Sequence, residues 1–304
     1  MASEHLKVFT SLNEVDQIFI YSRNTKTAQA LVESSAKARF CASLDELYSS
    51  SKSDLVIVCV PELHTKDICE KIKGYPWKIL VEKPLGYNLT QAREISDLCQ
   101  DKASDIYVAF NRRYYSAILE AESSLSKLSS EQTRLIEIRD QEDQISALSA
   151  GQPELVVQNW MYANSIHLID LFYVFGRGEI HSVVPVIEWN KEKPSFVCAK
   201  ITFDSGDVGI YTANWNKPGP WRITISTDEK FYELKPIEKL QIQEKGSRQL
   251  IDVALSSADT LFKPGLLRQA EELVSVIKSG AGNTQLPTLR ESLRSMELVG
   301  KIYQ

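Results

Sequence analysis

Short apolar runs that end abruptly in polar or turn-forming residues, each followed by a helical stretch, constrain the first 115 residues most strongly. Residues 17–21, 55–60, 79–81 and 106–110 are runs of strand length; residues 26–34, 64–73 and 91–100 between them read as helices. Buried strands separated by helices of about ten residues indicate βαβ units and a parallel sheet covered on both faces. Residues 1–115 are therefore expected to form an α/β, Rossmann-like, doubly wound domain.

After Tyr115 the period changes. A helix over 116–128 leads into alternating strands at 134–139, 182–189, 195–203, 208–214 and 221–227, with 231–234 and 240–243 as the edge. Asp204-Ser205-Gly206-Asp207 reads as a hairpin turn. Residues 266–302 return to helix, interrupted by a loop over 280–287. Residues 116–304 are expected to be an α+β domain with a mostly antiparallel, open sheet. Such a sheet needs one face covered and the other solvated or paired with a second subunit. A homodimer or homotetramer follows as an expectation, with Val184, Val186, Phe196, Cys198 and Tyr211 as candidates for the uncovered face.

The run Ile79-Leu80-Val81 stops at Glu82-Lys83-Pro84. Proline cannot donate to a ladder and favours a turn, so the charged pair stands at the carboxyl end of a buried strand. Ligands of open α/β sheets bind at that end. A lysine partly desolvated there has a pKa lowered toward neutrality and can exchange protons. A lone lysine after a strand is more often a surface charge, so its neighbours decide.

Those neighbours are polar residues at successive strand ends. Ser22, Arg23 and Asn24 follow the first run, where a dinucleotide's adenosine ribose would lie. An arginine among small polar residues suits a 2′-phosphate, which leans toward NADP over NAD; otherwise the segment is a polar turn. Cys59-Val60-Pro61 with His64 closes the next strand, and Phe110-Asn111-Arg112-Arg113-Tyr114 closes the last.

The balance of 35 basic and 40 acidic residues, net charge −5, argues against a nucleic-acid partner. No apolar stretch reaches the roughly 18 residues of a membrane span. Residues 1–7 lack a basic-then-apolar leader. Five scattered cysteines without CxxC spacing point to a reduced, cytoplasmic setting, with neither structural zinc nor a disulfide frame.

Taken in order, these strand ends resemble the glucose–fructose oxidoreductase / inositol dehydrogenase (Gfo/Idh/MocA) family. Asn164-Ser165-Ile166-His167-Leu168-Ile169-Asp170 is similar to that family's histidine-bearing helix, and Phe262-Lys263-Pro264-Gly265 through Gln269 to its tail. The resemblance implies hydroxyl–ketone interconversion on a sugar or sugar derivative with NADP or NAD, with surface polysaccharide synthesis as the expected setting. It implies Lys83 and His167 as catalytic groups. Ser22, Arg23, Asn24, Pro61, His64, Glu82 and Lys83 would bind cofactor. Arg113, Tyr114, Asn164 and Asp170 are assigned to substrate, with Arg113 and Tyr114 alternatively joining the domains and Asp170 orienting the imidazole or its helix. No metal site is expected.

The sequence departs from the family pattern twice. Ala163 stands where the family carries an acidic residue four before the histidine, with Asn164 or Tyr162 as substitutes. No G-x-G-x-x-G loop follows a first strand; residues 1–5 read as the helix after such a loop, with Ser3 as its cap. A missing central strand would leave two open edges and little of the phosphate site. A misassigned start or a truncation is preferred over genuine loss of cofactor binding. The rival reading is a non-catalytic sugar sensor or scaffold.

Overall fold

The computed structural model describes residues 1–51, 54–280 and 284–304. The parallel half runs α1 (Ala2–Ser11), β1 (Ile18–Ile20), α2 (Thr25–Glu33), β2 (Ala38–Phe40), α3 (Leu44–Ser51), β3 (Leu55–Val58), α4 (Thr65–Ile72), β4 (Lys78–Glu82), α5 (Leu89–Leu98) and β5 (Ile106–Ala109). Asn24 caps α2 and Asn88 caps α5, each accepting from a backbone N–H of the first turn. Ser3 does not cap α1. The cap position is Met1, and Ser3 lies inside the first turn. β2 and α3 are too short and too polar to stand out in the sequence.

β1 and β2 form one parallel ladder, and β3, β4 and β5 form another. Among the described residues no ladder joins β1 to β3. Both strands are largely half-buried, whereas β4 and β5 are almost wholly buried, with Ile79, Leu80 and Val81 each 1% exposed. β4, which presents the Glu82-Lys83 pair, is therefore the rigid centre of this half.

The second half opens with α6 (Ser116–Leu125), β6 (Leu135–Glu142), α7 (Gln144–Ser149) and α8 (Glu154–Gln158). A π-helical turn (Met161–Ser165) then runs into α9 (Ile166–Ile169) and α10 (Phe172–Phe175). Strands β7 (Ile180–Ile187), β8 (Phe196–Phe203), β9 (Val208–Trp215), β10 (Arg222–Ser226), β11 (Lys230–Leu234), β12 (Gln241–Glu244) and β13 (Ile251–Asp252) follow. Helices α11 (Ala258–Leu261), α12 (Leu266–Ser279) and α13 (Leu289–Ile302) end the chain. Of the loop expected over 280–287, residues 281–283 lie outside the described residues.

The eight strands order as β13-β12-β11-β10-β6-β9-β8-β7, antiparallel except for the β6–β9 pair. Alternation gives each strand a dry face and a wetter one. Ile136, Ile138, Val197, Ile201, Ala213 and Ile223 line the dry face, over which α9 and α13 pack. The other face exposes Val184, Val186 and Phe196, with Cys198 half-buried. Tyr211 corrects the expectation: it is fully buried on the covered face, because it is in phase with Ala213 and Trp215.

The C-terminal helices return to the parallel half. Leu266, Ala270 and Leu273 of α12 share a core with Val8 and Phe9 of α1 and with Leu12 just after it. α13 packs on α5, and the Val108 N–H donates to the Pro287 carbonyl. A capping box of Thr288 and Glu291 starts α13.

Candidate active site

At the end of β4 the Glu82 side chain turns toward α1, where its Oε1 lies 2.6 Å from His5 Nε2. Cys59, beyond β3, joins them. The ligand-type atoms of His5, Cys59 and Glu82 lie within 4.8 Å of one another, a set able to hold a metal ion. Burial pushes the Cys59 thiol up to about 12, so without a metal it stays protonated.

Lys83 points the other way and donates through Nζ to the Ala163 carbonyl at 2.7 Å. Burial lowers its pKa to about 8, with Glu82 opposing and Arg112 reinforcing the shift. The accepting carbonyl belongs to the π-helical turn, a local widening that often marks functional sites. One turn further on, His167 is 8% exposed, and its Nδ1 is buried without a hydrogen-bond partner. Burial, then Arg112, Lys83 and Lys263, hold its pKa well below the ordinary histidine value, so the imidazole is neutral at pH 7.

Arg112, on the 3-10 turn Asn111–Tyr114, completes this group. It is 8% exposed, its guanidinium lies 4.2 Å from the centre of the Trp221 ring, and its Nη1 has no partner. Lys263 stands exposed at the rim. Its segment is fixed by Asn111, whose Nδ2 donates to the Pro264 carbonyl at 3.0 Å. Gly265 follows at φ +78°, where an added Cβ would sit 2.0 Å from the Asn111 carbonyl oxygen, so no side chain fits.

Behind the π-helical turn lies a second charged cluster of opposite sign. Glu142 is fully buried and accepts from Ser165 Oγ at 2.6 Å and Asn164 Nδ2 at 2.9 Å. Asp140, 2% exposed, accepts from the Tyr211 hydroxyl at 2.8 Å. Tyr303 links the two, within 3.1 Å of Ser165 Oγ and 3.0 Å of the Tyr211 hydroxyl oxygen. Burial pushes Asp140 up to about 6, and burial plus the Asp140 charge pushes Glu142 well above the usual carboxylate range. The sequence reading missed both acids. Their signal was their phase: positions 140 and 142 continue the buried set Ile136 and Ile138.

The fold brings Lys83, His167 and Glu82 to one place, with Pro61 exposed and His64 half-buried on the same rim. Ser22 and Arg23 lie at the end of β1, Arg23 exposed. Asn24 does not present its amide oxygen to a ligand; that oxygen caps α2 by accepting from Thr27.

The four residues assigned to substrate are held by partners within the protein. Asp170 does not reach the imidazole. It accepts two bonds from Arg113 and one from Ser295, all at 2.7 Å, and is 1% exposed. Arg113 is thus a tether between the halves. Tyr114 is buried under α12 with Leu266 and Leu273, its hydroxyl beside Glu272, which together with burial raises its pKa. The Asn164 amide is engaged by Glu142.

Comparison with known proteins agrees with this architecture. Residues 1–110 match the family model GFO_IDH_MocA, described as "Oxidoreductase family, NAD-binding Rossmann fold". The likeness to this family is thus shown for the parallel half, over residues 1–110. A curated relative, the "uncharacterized oxidoreductase YhhX" of Escherichia coli (strain K12), is 26% identical over 139 residues. That match takes in 45% of this chain and 40% of the relative. UDP-N-acetylglucosamine 3-dehydrogenase GnnA from Acidithiobacillus ferrooxidans superposes with a TM-score of 0.75 at 16% identity, over 99% of this chain and 92% of that one. A levoglucosan dehydrogenase in complex with NADH and levoglucosan gives 0.77 at 16% identity, over 99% and 93%. At such identities these structures establish the fold alone. Among the described residues no helix is long and apolar enough to cross a membrane.

Proposed function

We propose that this chain is an NAD(P)-dependent oxidoreductase interconverting a hydroxyl and a ketone on a sugar or sugar derivative. The observation that carries the reading is Lys83. It stands at the carboxyl end of a buried parallel strand, with a pKa of about 8, held by the Ala163 carbonyl beside the neutral His167. A neutral Lys83 can take the proton of a substrate hydroxyl, and a protonated one can return it. His167 offers a second hydrogen-bonding group at the same spot. Bound nicotinamide would supply the hydride transfer.

The residues present suit that cofactor at both ends of its path. Ser22 and Arg23 would meet the adenosine ribose, and Pro61, His64, Glu82 and Lys83 the nicotinamide side. The exposed Arg23 favours NADP. Arg23→Ala should lower NADPH affinity by about one order of magnitude relative to NADH, given roughly 1.5–3 kcal/mol for a charge-assisted bond. Fluorescence titration of both cofactors reads this, and equal losses would remove the role.

The outer sheet face, with Val184, Val186 and Phe196, supports assembly into a dimer or tetramer through that face. Light scattering that returns 34.4 kDa at every concentration would overturn it. Five unpaired cysteines suit a cytoplasmic setting. Surface polysaccharide synthesis is the setting we favour for the substrate. The function is tested by following reduced nicotinamide with a panel of neutral, acidic and nucleotide-linked sugars. Sugar binding without turnover across that panel would favour a sensor or scaffold instead.

A further inference from the structure

Arg112 and His167 are each 8% exposed, yet Nη1 of the one and Nδ1 of the other are buried and unpartnered. The Arg112 guanidinium shares a hydrogen bond with the Tyr115 hydroxyl, but its buried Nη1 has no acceptor, and an unpaired N–H on a buried charge is costly. The two groups are close enough, together with Lys83 and Lys263, for their charges to work against one another. Asp140 feels the Arg112 charge, but none of the nearby acids hydrogen-bonds the orphaned atoms. Glu82 is bonded to His5, Asp140 to Tyr211, and Glu62 lies half-buried on the rim. Ala163 contributes only its carbonyl, which Lys83 takes.

Trp221 lies over the Arg112 guanidinium at 4.2 Å. Stacking of this kind fixes the plane of the fork and leaves its N–H edge for an acceptor in that plane. A planar, bidentate guanidinium matches a carboxylate or phosphate. A neutral imidazole with an open Nδ1 adds a further hydrogen-bonding position.

We infer that the substrate of this site carries an anionic oxygen group, a carboxylate or a phosphate, that Arg112 seats in the space it shares with His167. This rests on the oxidoreductase reading and narrows its substrate class from sugars in general to acidic ones. Arg112 is then a specificity-determining residue. An anion there also offsets the crowd of positive charge around Lys83.

The test is calorimetric titration of the full chain with four probes: glucose, glucuronate, gluconate and glucose 6-phosphate. Each is repeated with Arg112→Met and Arg112→Lys, whose folding is checked by circular dichroism. The expected result is at least tenfold tighter binding of an acidic probe than of glucose. That preference should vanish in Arg112→Met and return in part in Arg112→Lys. Glucuronate and gluconate binding above glucose 6-phosphate assigns a carboxylate; the reverse assigns a phosphate. A second readout is the His167 imidazole by NMR, whose pKa should rise when the acidic probe binds. Equal binding of glucose and the acids, a preference that survives Arg112→Met, or no binding of any probe would overturn the inference. Because the titration reads binding without turnover, a missing activity would count against the oxidoreductase reading alone. Equal turnover of neutral and acidic sugars would count against the anion alone.

Discussion

Two charged clusters sit on either side of the π-helical turn Met161–Ser165, and they are built on opposite terms. Behind the turn, Asp140 and Glu142 are deeply buried but bonded to Tyr211, Ser165 and Asn164. In front of it, Lys83 is held by the Ala163 carbonyl, while Arg112 Nη1 and His167 Nδ1 are left without partners. A buried polar group with its partners in place rigidifies a fold; one without them is costly unless something else binds it. The acidic cluster therefore holds the turn in position, and the basic cluster is the surface the turn presents to a ligand. The same contrast separates Arg113 from Arg112, adjacent in sequence, one tied to Asp170 through two nitrogens and the other with its Nη1 unpartnered.

Removing a satisfied charge should cost stability, and removing an unsatisfied one should cost function. The largest effect is expected at the tether. Asp170→Ala leaves Arg113 buried without its partner, which typically costs about 3–5 kcal/mol. Chemical denaturation measures it, and a loss below 1 kcal/mol would place that pair among the inconsequential ones.

Lys83→Met should separate the two properties most sharply. Turnover should fall by about 10² or more, the scale of a lost acid/base, while thermal stability holds or rises. Loss of stability with turnover retained would reverse the roles drawn above.

Glu142→Ala comes next, at about 1–3 kcal/mol, because the Ser165 hydroxyl and Asn164 amide lose their acceptor inside the protein. Its effect on turnover should be smaller than that of Lys83→Met and arise through the displaced turn. Differential scanning calorimetry with parallel kinetics distinguishes the two.

The pH dependences are the smallest effects and have opposite signs. Lys83, lowered to about 8 from 10.5, makes the unfolded chain the stronger proton binder between those values. Stability should therefore rise with pH across that window. For hydroxyl oxidation, kcat/KM should rise with pH and level off above about 8. Asp140, raised to about 6 from 3.8, makes the folded chain the stronger binder, so stability should fall as pH rises from about 4 to 6. Asp140→Asn should flatten that fall; an unchanged pH profile of the melting temperature would show that another group is responsible.

The amino-acid sequence alone determined the parallel half, β2 and α3 excepted, and the location of Lys83. Apolar run length, helical spacing and a proline after a charged pair are local signals, readable without knowing what packs where. All strands of the large sheet but the short edge strand β13 were legible too, because a period of two needs only near neighbours. Only the tertiary structure decided which charges are spent. Arg113 meets Asp170 across 57 positions, and Glu142 meets Ser165 across 23. Nothing local distinguishes Arg112 from Arg113, yet the turn Asn111–Tyr114 sends one guanidinium to Trp221 and the other to Asp170. Partnership between distant residues depends on how helices and sheet pack, and packing sums many weak contacts that no single stretch of sequence contains.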